Sequence, residues 1–134
     1  RTPLLPAAEV PITEGGAARF QLQNAAAATA AAWALGIAPD TLRAGLRSFV
    51  PSHETTPGRM NTVQVRGARV IVDYAHNHAA IGALLDYGRR LDATRRIAVL
   101  HTPGDRRDDD IRGVGALAVG LDHVVFMENP QYMR

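Results

Sequence analysis

The stretch PGRMNTVQVRGARVIVDYAHNHAA, Pro57 to Ala80, runs from a proline–glycine break through two apolar segments into a cluster of polar side chains. Val63 and Val65 alternate with Gln64 and Arg66, the period-two signature of a half-buried strand. Gly67 allows a tight turn, and Val70, Ile71 and Val72 continue as a second, more buried strand, so a hairpin is predicted. Asp73, His76, Asn77 and His78 follow directly. Asn77 is suited to cap a helix from about His78 to Leu91, whose apolar face carries Ile81, Leu84, Leu85 and Leu91.

Downstream, RRIAVLHTPGD reads as a buried strand leading into a glycine-containing turn. RDDDIRGVGALAVGL reads as a helix with acids in its first turn, where the backbone dipole favours negative charge. DHVVFMEN reads as a third buried strand. The order hairpin, helix, strand, helix, strand predicts the α/β class, a parallel sheet opened by a hairpin. Such a sheet usually has a further helix and strand, so the chain is expected to be a fragment. Upstream, Arg1 to Gly16 reads as loop and short extended pieces, with VPI (Val10 to Ile12) as a strand end and EGGAA as a turn. Alanine and leucine dominate Gln21 to Leu35, predicting a helix stopped by Gly36. Trp33 within it is expected in the core. A second helix follows, with Asp40 as its N-cap and Leu42, Leu46 and Phe49 at helical spacing. VPSHETTPG, Val50 to Gly58, is the best linker candidate.

The chain has 134 residues, of which 46% are apolar, enough for a real core. Cysteine is absent, which removes disulfides, thiolate metal sites and cysteine nucleophiles and agrees with a reducing compartment. No segment approaches the roughly 20 apolar residues of a membrane helix, and a cytoplasmic location is expected. All fifteen basic residues are arginines, and with interleaved acids the net charge is only +2, so nucleic acid is not an expected partner. A phosphate loop of the Walker type needs a lysine after its glycines, and this sequence has none.

In open α/β sheets, ligands collect at the carboxyl ends of strands. Two polar clusters fall there: Asp73, His76 and Asn77 after the second strand, and Asp105, Arg106 and Arg107 after the third. Neighbouring strands would bring them to one rim. Aspartate accepts hydrogen bonds from ribose hydroxyls, helix N-terminal amides receive phosphate or carboxylate oxygens, and arginine offers a matching planar fork. Plainer roles compete: Asp73 closing a turn, Asn77 capping a helix, His76 as a hydrogen-bonded turn residue, and Asp108 to Asp110 completing a helix start. His76 and His78 lie two apart and would not share a helix face, which argues against zinc; no metal site is expected in this chain.

On QNAAAATAAAWALGI, FVPSHETTPGRMN, VDYAHNHAA and HTPGDRRDDDIRGVG the sequence resembles the Mur ligase family, from about Val10 to Glu128. PGRMN…DYAHN is specific to the superfamily. PGDRRDDDI points to its branch that joins arginine to the side chains of a poly-aspartate backbone. The resemblance implies residues 1–57 as the end of a central ATPase domain and residues 58–134 as a truncated, Rossmann-like C-terminal domain. It implies an ATP-dependent amide ligase working through an acyl phosphate. Nucleotide-binding residues would be Asn24, Arg59, Asp73 and Asn77, with His76 as the catalytic residue beside the phosphates. Asp105, Arg106 and Arg107 would face the amino-acid substrate, and the acids at 105 and 108–110 suit a guanidinium. ATP and Mg2+ are implied, with the magnesium ligands outside this chain, as are an acidic polymer substrate and a homo-oligomeric intact enzyme. The fragment alone should be inactive. Phe20 and Gln21 stand where the family often has histidine and asparagine, and His78 replaces a usual proline. The alternatives are another Mur-type ligase, of the peptidoglycan or folylpolyglutamate kind, or a non-catalytic binding module.

Overall fold

The computed structural model describes residues 3–101 and 107–127. The chain divides into two compact units, Arg1–Tyr74 and Ala75–Arg134. The expected boundary at Pro57 and Gly58 falls inside the first.

In the first unit the N-terminal segment forms two 3-10 turns, Ala7–Glu9 and Pro11–Thr13, where a strand end was expected. Thr13 ties them together. Its fully buried hydroxyl lies 2.7 Å from the Ala7 carbonyl and 2.8 Å from that of Val10, and accepts the Gly16 N–H at 3.0 Å. A local side chain that satisfies this many backbone groups outcompetes a strand without a neighbour to pair with. Helix α1, Arg19–Ala34, ends as the glycine foretold. Gly36 takes φ +83°, its N–H donates to the Trp33 carbonyl at 2.9 Å, and the Ile37 N–H reaches that of Ala32 at 3.1 Å. Helix α2, Pro39–Ser48, is not capped by Asp40: Ala38 is the N-cap, Pro39 opens the helix, and Asp40 sits in its first turn. Proline fits there because its missing N–H would have no partner in any case. Arg43 and Arg47 hold the N-terminal segment onto α2, through the Leu4 carbonyl at 3.0 Å and Glu9 at 2.7 Å.

Trp33 is 49% exposed, not a core residue. Alanine on every side gives α1 no distinct apolar stripe to bury, and Trp33 instead edges an open apolar groove of about 530 Å³ with Leu4, Leu5, Val10, Leu22 and Leu46.

The predicted hairpin is present. Strands β1, Asn61–Val65, and β2, Ala68–Val72, pair antiparallel with Val63 opposite Val70. Arg66 and Gly67 both take positive φ, 50° and 82°, the turn that matches strand twist. Among the described residues the hairpin's strands bond only to each other. Val63, Val65, Val70 and Val72 are exposed, and β2, with only Ile71 half-buried, is no more buried than β1, contrary to the prediction.

In the second unit α3 is His78–Arg90, β3 Ile97–His101, α4 Asp108–Leu117 and β4 His123–Met127. Strands β3 and β4 pair in parallel, Val99 opposite Val125. Ile81 and Leu85 of α3 and Val114 and Ala118 at α4 close a core with Leu100. One face of the strands, Ala98, Leu100 and Val124, meets the helices; Ile97, Val99, Val125 and Met127 on the other are exposed. Both strands were expected to be buried, as parallel strands covered on two faces are, but the described helices cover one face only. Arginines close the helix ends: Arg96 donates to the carbonyls of Gly88 and Leu91, and Arg89 to that of Leu117 at 2.6 Å.

Candidate functional site

The proline–glycine break is a built turn. Gly58 and Met60 both take left-handed φ, 68° and 52°, and a non-glycine residue adopts that shape only when its surroundings hold it there. Three groups do so. Asn61 is buried, accepts the Gly58 N–H on Oδ1 at 2.6 Å and donates from Nδ2 to the Thr56 carbonyl at 3.1 Å. Asp73, at the end of β2, accepts the Met60 N–H on Oδ2 at 3.0 Å. The Tyr74 N–H donates to the Gly58 carbonyl at 2.7 Å. Met60 itself is 4% exposed.

Between these anchors Arg59 points outward. Its guanidinium carbon lies 5.1 Å from the centre of the Tyr74 ring, within cation–π range. Among the described residues it forms no ion pair. Arg59 and Asp73 are thus brought together by one turn, with Asp73 doing the turn-closing work that the sequence also allowed.

The other candidates are placed as follows. Asn24 lies exposed on α1 and donates to the Gln21 Oε1 at 3.0 Å; Gln21, at one of the departures from the family pattern, is buried. His76 is half-buried. Asn77 caps α3, its Oδ1 accepting the Ala80 N–H at 2.9 Å. Arg107 precedes α4 and pairs with Asp110 at 3.0 Å; the hydrogen bond its guanidinium donates to that carboxylate, then the carboxylate's charge, push the Arg107 pKa up. Asp109 pairs with Arg112 at 3.3 Å. Asp105 and Arg106 lie outside the described residues, and with them the expected meeting of the two clusters.

Sequence reasoning passed over three features. Asn61 received no role from the sequence; only its fold-back onto Gly58 and Thr56 shows its work, although an asparagine three residues after a glycine that follows proline is turn chemistry. His78 packs on Gly113 of α4, so closely that an added Cβ on Gly113 would stand 3.0 Å from the ring Cδ2. His101, at the carboxyl end of β3, carries a buried Nε2 with no hydrogen-bond partner among the described residues. None of the described candidate residues lines the apolar groove beside Trp33.

A family model described as Mur ligase, glutamate ligase domain, matches residues 58–134. The sequence is 40% identical over 124 residues to the cyanophycin synthetase of Trichormus variabilis and 39% identical over 121 residues to that of Synechocystis. These alignments cover 92% and 90% of the chain but only 14% of each relative. A UDP-N-acetylmuramoyl-L-alanyl-D-glutamate–2,6-diaminopimelate ligase of Geobacter metallireducens is 36% identical over 106 residues, 78% of the chain and 20% of that protein. No helix among the described residues is long and apolar enough to cross a membrane.

Proposed function

The chain belongs to the Mur ligase family, and from that premise we propose that it serves an ATP-dependent carbon–nitrogen ligase of the cyanophycin synthetase kind. The observation that supports this most is similarity to such enzymes over 92% of the chain, through the turn that carries Arg59. In the proposed reaction an aspartate side-chain carboxylate of the polymer attacks the γ-phosphorus of ATP, giving an acyl phosphate and ADP. The amine of arginine attacks the acyl carbon and loses a proton, and inorganic phosphate leaves. Positioning of amine and acyl phosphate supplies much of such a rate, and fixed charges stabilise the transferring oxygens.

In this reading Arg59 directs its N–H edge at nucleotide phosphate, its face resting on Tyr74. Asp73 meets the ribose; a carboxylate accepts several hydrogen bonds at once, so this is compatible with its bond to Met60. Asn77 keeps its amide donors for a phosphate oxygen while Oδ1 caps α3, His76 stands beside it, and Asn24 faces the base. Asp105, Arg106 and Arg107 face the amino acid. Among the described residues no three acidic or histidine side chains converge to hold a metal ion, so no step is assigned to magnesium.

The test is Asp105→Ala in the full-length ligase, which should raise the KM for arginine; an unchanged KM removes that role. A second reading, a ligase for another amino acid, is favoured by the similarity to the Geobacter enzyme. Phosphate release supported by diaminopimelate and not by arginine would establish it in place of the first.

A further inference from the structure

We infer that Asn61 is a positioning residue for the reaction, holding the turn in the shape that presents the Arg59 guanidinium to phosphate oxygens. This rests on the nucleotide role proposed above for Arg59. Six arginines spend their donors on the fold: Arg43, Arg47, Arg89, Arg107 and Arg112 pair with acids, and Arg96 with carbonyls. Arg59 pairs with no acid among the described residues, yet the backbone beneath it is fastened at four points: Gly58 N–H, Gly58 carbonyl, Met60 N–H and Thr56 carbonyl. A cation kept unspent on a rigid base is what anion recognition requires, since little ordering then remains to be done when the ligand arrives.

Asn61 is the side chain that spans the turn. It needs an acceptor for Gly58 and a donor for Thr56 on one short planar group, which asparagine has and aspartate lacks. It is 8% exposed, so its amide is shielded from water that would otherwise compete for the same bonds. Remove it, and the Gly58 N–H loses its acceptor, while the Thr56 carbonyl keeps only the Arg59 N–H at 3.1 Å. Met60 then has less to hold it at positive φ, and Arg59 loses its fixed place over Tyr74.

Two measurements decide the matter. In the full-length ligase, Asn61→Ala should raise the KM for ATP about tenfold with kcat at saturating ATP changed less than about twofold, as should Arg59→Ala. The double variant should be no worse than Arg59→Ala, because Asn61 acts through that residue; additive losses overturn the inference. An unchanged KM in Arg59→Ala refutes the nucleotide role instead, and the second measurement then judges Asn61 alone. In the 134-residue chain, NMR of the wild type should show Arg59 side-chain protons shifted upfield by the Tyr74 ring. Asn61→Ala should abolish that shift while the amide signals of α3 and β3 stay in place. Random-coil Arg59 shifts in the wild type, or a ring shift that survives Asn61→Ala, overturn the positioning role.

Discussion

Replacing Gly113 with alanine sets two opposed effects on one residue. In the middle of α4, alanine is worth about 1 kcal/mol over glycine from backbone entropy alone. The new Cβ, however, would stand 3.0 Å from His78 Cδ2 and 3.5 Å from its Nε2. Carbon atoms pack best at roughly 3.5–4.0 Å, so the ring must retreat by about half an ångström or more. His78 opens α3 directly after its cap Asn77, and forced repacking of this kind typically costs about 1–3 kcal/mol. The net expectation for Gly113→Ala is therefore between no change and a loss of about 2 kcal/mol. Once His78 is alanine the obstacle is gone, and Gly113→Ala should gain about 1 kcal/mol. Gly115 in the same helix is the control: nothing lies within 4 Å of its added Cβ, so Gly115→Ala should gain that much in either background. Amide hydrogen exchange at Leu100 and Val114, both buried in the second unit, reports the local stability. Equal gains from Gly113→Ala and Gly115→Ala with His78 present would refute the reasoning.

Leu85→Ala empties the core between α3 and β3 and should cost about 2–5 kcal/mol, seen as lost exchange protection across β3. Asn77→Ala removes the bond to the Ala80 N–H and should cost about 1 kcal/mol, with Asn77→Asp close to neutral by the same measurement. Gly36→Ala forces a side chain into φ +83° and should cost roughly 1–2 kcal/mol, read as fraying at the end of α1 by NMR. The hydrogen bond with Ser52 holds the Glu54 carboxyl below its ordinary 4.5. That support for the Ser52–Thr56 turn is thus present above the ordinary value and lost as pH falls through the lowered one; Ser52→Ala should move the Glu54 NMR midpoint upward.

Much of this fold was legible in local signals. Gly36 stops α1, Asn77 starts α3, Gly67 turns the hairpin and the acids open α4, each because a single residue satisfies or forbids a particular backbone shape. The family likewise showed in PGRMN…DYAHN. The misjudged residues share a different cause. Trp33, Val70, Val72 and Val99 were read as buried because they are apolar or lie in apolar runs, but apolarity says only that burial would be favourable, not that a neighbour is there to provide it.

The candidate site divides along the same line. Asp73 could be named a candidate from its residue type at a strand end, and Arg59 from the family resemblance, because charge and hydrogen-bonding capacity travel with the side chain itself. That Asp73 reaches back to Met60, and that Asn61 folds over Gly58 and Thr56, depended on the tertiary structure. Local sequence settles which backbone shapes are cheap. Only the folded chain settles which distant donors and acceptors come within 3 Å, since hydrogen bonds die away over fractions of an ångström and no pattern along the chain encodes that distance.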